Sequence, residues 1–286
     1  MMIKGSFYNL LLGQKDKIND SNIIDIISSL EKEFPSIPKG MVKNNILFYY
    51  FISLVKDKIP FIVKGGFVMQ YYLENNNRPT RDFDIITNLD NKELYKRLED
   101  TINSYRGNLS FKIKEYEYTL KSKSFYYDTI NIRIDVFNNN EHYHELLIDG
   151  IISPIYERID IIDYKAPLFL FDNLTFKGVR IEYVMAEKIM ALTNELKRPY
   201  KHLVDVYSLS KLNLDIDILK RYLDIILSYD NNARESFGVY KKEYEYHIKD
   251  DKSFIGFYSL PSLQAGYNIS FDSMKEEVNN WLKENL

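Results

Sequence analysis

An apolar stretch that runs straight into two glycines, Phe61-Ile-Val-Lys-Gly-Gly-Phe67, constrains this chain more than any other segment. It reads as a short buried strand stopped by a turn, with a helix starting at the glycines. About a dozen residues later, Arg78-Pro-Thr-Arg-Asp-Phe-Asp-Ile85 alternates carboxylates with apolar side chains. In an extended segment, side chains at i and i+2 share a face and lie roughly 6–7 Å apart. Asp82 and Asp84 therefore point one way while Phe83 and Ile85 point into a core. Two carboxylates on one face suit a hard divalent cation, and Mg²⁺ typically takes one or two of them together with substrate phosphates. Glycines allow a phosphate to approach the backbone, and a helix N-terminus favours an anion. The local reading is nucleotide chemistry.

A further acid stands in Ile130-Asn-Ile-Arg-Ile-Asp-Val-Phe137. Ile130, Ile132, Ile134 and Val136 share one face of a strand, which leaves Asp135 on the other with Asn131 and Arg133. Alone it reads as solvated charge. Beside Asp82 and Asp84 it is expected to be the third carboxylate that positions and deprotonates an attacking hydroxyl.

The rest of the chain is organised around this segment. Ile23, Ile26, Ile27 and Leu30 form one helical stripe and Ile46, Tyr49, Tyr50 and Ser53 another, with Pro35 and Pro38 between them. Strands are expected at 59–63, 83–87, 110–120 and 124–137, the last two as a long antiparallel hairpin. Helices are expected at 66–74, 91–104, 184–196, 200–212, 217–228 and 274–286, and residues 229–270 are aperiodic. His142 and His144 read as parts of a surface turn, and Tyr240, Tyr244 and Tyr246 as packing residues. Lys188 falls at i,i+3 and i,i+4 from Met185 and Leu192, on or near the covered face of its helix. A lysine there costs free energy unless an anion meets it.

Composition narrows the class. With no cysteine, disulfides, thiol catalysis and thiolate metal sites are excluded. The net charge of −3 argues against a protein whose main task is to coat nucleic acid, while leaving room for a local basic patch. No apolar run reaches the roughly 20 residues of a membrane span, and no secretory signal opens the sequence. A cytoplasmic protein with no membrane contact is expected.

Lys64-Gly65-Gly66, then Thr80-x-Asp82-x-Asp84, then Ile134-Asp135 resemble the nucleotidyltransferase superfamily with a DNA-polymerase-β-type core. Within it, the motifs are most similar to the AbiEii/MenT group of toxin nucleotidyltransferases. Ala186-Glu-Lys-Ile-Met-Ala191 and Asp205-Val-Tyr-Ser-Leu209 resemble that group's later helical elements, and the likeness covers about residues 45 to 215. It implies an α+β fold: a polymerase-β-like core of mixed or antiparallel sheet with flanking helices, plus a helical C-terminal half. The expected divisions are a helical segment over 1–45, the core over 46–165 and a helical domain over 166–286.

The resemblance also implies roles. Asp82, Asp84 and Asp135 would hold Mg²⁺, and Lys64, Lys188 and Asp205 would serve catalysis. Lys64, Gly65, Gly66, Thr80, Arg81 and Lys188 would bind the nucleotide. The implied reaction is transfer of NMP from an NTP to a hydroxyl, with RNA (a tRNA 3′ end included) as acceptor and a separately encoded antitoxin as partner. Two departures stand out: Phe67 replaces a small residue after the glycines, and Lys201-His202 replaces a basic–acidic pair. The alternatives are a non-catalytic nucleotide-binding module and a phosphatase with an aspartate nucleophile. The surroundings of Asp82 fit the phosphatase poorly, since Gly-Thr does not follow it.

Overall fold

Alternation of apolar and polar residues produces most of the strands, and their pairing builds a single mixed sheet. The computed structural model describes residues 18, 21–33, 40–73, 80, 82–121, 127–166, 174–193, 199–229, 234–235, 237–238 and 269–286. The chain divides into two compact units, Met1–Val179 and Arg180–Leu286.

The first unit contains helices α1 (Ile23–Glu33), α2 (Met41–Val55), α3 (Gly65–Met69) and α4 (Asn91–Ser104). Its strands are β1 (Ile62–Val63), β2 (Asp82–Thr87), β3 (Leu109–Thr119), β4 (Asp128–Asn138), β5 (Glu141–Ile152), β6 (Ile161–Lys165) and β7 (Thr175–Val179). They form one seven-stranded sheet in the order β3-β4-β5-β2-β1-β7-β6. β2 runs parallel to β5 and antiparallel to β1, and β1 runs parallel to β7. The expected β3–β4 hairpin forms, with a register shift between Ile113 and Glu115.

Asp90 caps α4 through its side chain, which accepts from the backbone N–H groups of Lys92 and Glu93. α2 differs from its expected single stripe, because Asn44, Asn45, Leu47, Phe48 and Phe51 are buried along with Ile46, Tyr49 and Tyr50. A helix covered on nearly all sides is a core element rather than an amphipathic lid. Phe67 explains its own departure from the family pattern. It is fully buried, with its ring packed edge-on against Phe83 at 5.3 Å and tilted against Tyr49 at 4.9 Å. This aromatic contact fastens α3, and with it the two glycines, to the strand that carries the carboxylates.

Three strands, β5, β6 and β7, were not foreseen, and they change two expectations. The turn at 138–145 is confined to Asn139 and Asn140, both at positive φ (50° and 67°), the geometry of a tight hairpin. His142 and His144 therefore lie on β5. β7 pairs with β6 and β1, so the sheet-bearing unit runs to Val179 instead of ending at 165.

The second unit is helical, with α5 (Ile181–Leu192), α6 (Pro199–Leu209), α7 (Ile216–Tyr229) and α8 (Phe271–Asn285). α5 packs on α6 and α7, and α8 packs on α6. Met185, Ile189 and Leu192 are buried as their spacing implies, while Leu196, Tyr240, Tyr244 and Tyr246 lie outside the described residues.

Candidate active site

The burial pattern of β2 alternates at its start. Phe83 and Ile85 are buried, while Asp82 and Asp84 face the open side of the sheet. Asp84 lies against the double glycine. Gly65 has φ +65°, a left-handed conformation that strains any residue with a Cβ, and a Cβ there would overlap the Asp84 carboxylate. A Cβ on Gly66 would come within 2.5 Å of the Thr80 hydroxyl. The glycines thus let the Asp82–Asp84 strand and its Thr80 approach close against the backbone. Lys64 caps this turn, and its backbone N–H donates to the Asp84 carbonyl at 2.9 Å.

The third carboxylate beside this pair is Asp149. Parallel pairing of β2 with β5 sets Asp84 directly opposite Asp149, and antiparallel pairing with β4 sets Asn131 opposite Asp149. The Asn131 amide donates to Asp149. Burial raises the Asp149 carboxyl above its ordinary range, and the charges of Asp82 and Asp84 raise it further; the Asn131 hydrogen bond and Lys64 pull in the opposite direction. That electrostatic coupling marks the three acids as one cluster. Lys64, Asp84, Asn131 and Asp149 line a cleft of about 280 Å³, together with Glu117, Thr119 and Thr129.

Asp135 does not join them. It sits on β4 with β5 between it and β2, opposite Glu145 on one side and Lys112 on the other. Its carboxylate meets the His142 ring nitrogen Nε2 at 3.2 Å. Four residues along β4 separate it from Asn131, roughly 13 Å of strand. The expectation failed because an acid on the open face of a strand carries no information about which neighbour it meets; register decides that. Asp149 had its own signal in Leu146-Leu-Ile-Asp-Gly150, an acid between residues of the buried face, but β5 had not been recognised as a strand.

Among the other expected site residues, Thr80 is placed as described and Arg81 lies outside the described residues. Lys188 and Asp205 meet within the second unit at 3.3 Å. Asp205 is 1% exposed, and the His202 ring approaches the same carboxylate at 4.0 Å. The Lys188 ammonium therefore neutralises a buried acid, the partner its covered position called for. Removing one member of such a pair leaves an uncompensated buried charge, a loss of about 3–5 kcal/mol. Lys188→Met is expected to lower stability on that scale in chemical denaturation. The double variant Lys188→Met with Asp205→Asn should recover much of it.

The first unit's acids fit a hard divalent cation. Their donors are carboxylate oxygens, and their mutual repulsion is what such an ion relieves. Among the described residues, no group of three or more His, Cys, Asp or Glu is arranged to hold a metal ion by itself. An ion that fills its shell with substrate phosphates and water asks for none.

The chain resembles a solved structure of the JHP933 protein from Helicobacter pylori (12% identity, 87% of this chain and 92% of that one, TM-score 0.50). A second is MenT4, a nucleotidyltransferase toxin of Mycobacterium tuberculosis H37Rv (10% identity, 92% and 88%, TM-score 0.49). At this identity the likeness to JHP933 speaks of the fold alone. No curated protein matches the sequence. No described helix is long and apolar enough to cross a membrane. The model of one family, described as the nucleotidyl transferase AbiEii toxin of a type IV toxin–antitoxin system, matches residues 46–284. Since that match takes in the glycine turn, the carboxylate strands and most of the helical unit, the chain belongs to the AbiEii family of toxin nucleotidyltransferases.

Proposed function

We propose that this protein, in the cytoplasm, moves a nucleoside monophosphate from an NTP onto a hydroxyl of RNA, a tRNA 3′ end being one fitting acceptor. The acceptor hydroxyl gives its proton to a carboxylate of the cluster, its oxygen bonds to the α-phosphorus, the bond from that phosphorus to the bridging oxygen breaks, and pyrophosphate leaves. The observation that carries the proposal is the cluster of Asp82, Asp84 and Asp149 beside the Gly65 turn. These three residues would hold Mg²⁺, which when bound supplies positive charge against the phosphate oxygens.

The remaining roles belong to the chain itself. Gly65 and Gly66 keep Asp84 and Thr80 close to the turn, and Asn131 fixes one face of the Asp149 carboxylate. Lys64 brings an ammonium to the same cleft, suited to phosphate oxygens as a point charge. Lys188 and Asp205 are proposed to act in the reaction on the strength of the family motif they match. The type IV toxin–antitoxin description of the family supports a toxic activity opposed by a separately encoded antitoxin.

The test is incubation of the purified protein with total cellular RNA, Mg²⁺ and each α-labelled NTP in turn. Label is expected in the RNA fraction with release of pyrophosphate, and it should vanish with EDTA or with Asp84→Ala. Label confined to protein would overturn the RNA acceptor. No incorporation of any NTP by the parent protein would overturn the reading as a whole.

A further inference from the structure

Resting on that reading, we propose that Asn44 and His144 are positioning residues that set the place of Asp82 by holding the Thr80 backbone. β2 is paired with β5 from Asp82 onward and with β1 at Ile85 and Ile86, so Thr80 precedes the paired part of the strand. Beyond a ladder's end the backbone depends on other partners. The Asn44 side chain supplies one: its Nδ2 donates to the Thr80 carbonyl at 3.0 Å. Asn44 lies on α2, 8% exposed, so this amide belongs to the core rather than to a solvated surface.

The second half of the link comes from β5. With its nitrogen committed to Thr80, Asn44 presents Oδ1 to the His144 Nε2, 3.1 Å away, and Nε2 must therefore donate. Burial, reinforced by Lys43, lowers the His144 pKa to about 4, so the ring is neutral and carries its proton on Nε2. His144 comes just before the segment of β5 that pairs with β2, where Leu147 stands opposite Asp82. One chain of hydrogen bonds thus joins β5, α2 and the residue two before Asp82. The Thr80 hydroxyl also lies against Gly66. Thr80 is held between the Asn44 amide and the glycine turn, which limits where Asp82 can sit relative to Asp84 and Asp149. An error of about 1 Å in such a group can cost roughly 10²-fold in rate.

The test compares Asn44→Ala with Asn45→Ala. Asn45 is a fully buried amide on the same helix, and it donates to the Met41 carbonyl of that helix. With total RNA and the preferred labelled NTP, Asn44→Ala is expected to lower kcat about 10²-fold with KM for the NTP changed less than about threefold. Asn45→Ala should lose comparable Tm while keeping kcat. His144→Gln, whose amide still donates, should retain most of the activity that His144→Leu loses. Independently of turnover, amide hydrogen exchange at residues 82–84 should accelerate at least about tenfold in Asn44→Ala and stay near the parent rate in Asn45→Ala. Equal kcat losses in the two asparagine variants, or unchanged exchange at 82–84 in Asn44→Ala, would overturn the proposal. A parent protein inactive on RNA would instead count against the function reading, and the exchange measurement would still decide this one.

Discussion

Asp149→Asn is expected to reduce NMP transfer by roughly 10³-fold or more, whereas Asp135→Asn should stay within about threefold of the parent. The two acids occupy similar sequence settings, each following an isoleucine on the open face of a strand, yet only Asp149 stands opposite Asp84. The same substitution should raise stability at neutral pH. Asp149 has its pKa raised in the folded state, so between the unfolded and folded values the folded protein binds more protons. Stability contributed by this group is therefore present at low pH and is lost as pH rises through the folded pKa. Asn carries no charge and removes that loss. Denaturation from acidic to neutral pH should show Asp149→Asn gaining on the parent as pH rises. If Asp135→Asn is the inactive variant, the site assignment fails.

Gly65→Ala should be nearly as damaging to turnover, through the backbone rather than through any charge. At φ +65° an alanine meets a conformational cost of about 1–2 kcal/mol, readable as a fall in denaturation midpoint. Its methyl would also occupy the space of the Asp84 carboxylate, so the acid must swing away or the turn must open. Either movement separates Asp84 from Asp149, and a fall in rate of about 10²-fold or more is the expected reading. Gly66→Ala should be milder. Its φ is ordinary, and the neighbour it would press is a threonine hydroxyl that can rotate. Full activity in Gly65→Ala would reduce the glycine to a simple turn residue.

These variants separate what was legible in the sequence from what was not. Local rules were enough for Asp82 and Asp84, because alternation with Phe83 and Ile85 fixes their common face whatever the strand's neighbours are. The same holds for the glycine turn, and for Lys188, whose covered position demanded an anion now found in Asp205. Phe67 looked like a departure from the family pattern until its burial against Phe83 gave it a packing role. Of these readings, only the packing role of Phe67 and the identity of the lysine's partner rest on contacts distant in sequence.

The third carboxylate could not be reached in that way. Asp135 and Asp149 each follow an isoleucine of the buried face, and nothing local says which strand will lie beside β2. The parallel β2–β5 register decides it by aligning Asp84 with Asp149, and that alignment depends on burying Phe83, Ile85 and Ile148 on one face of the sheet. A parallel register is set by packing between segments far apart in the chain, because no short turn connects the two strands and fixes it. The amino-acid sequence by itself determined the pair of acids, the turn beside them and the chemistry they suit. Only the tertiary structure decided which third acid completes the cluster, because the side-chain period gives each strand a face but never a neighbour.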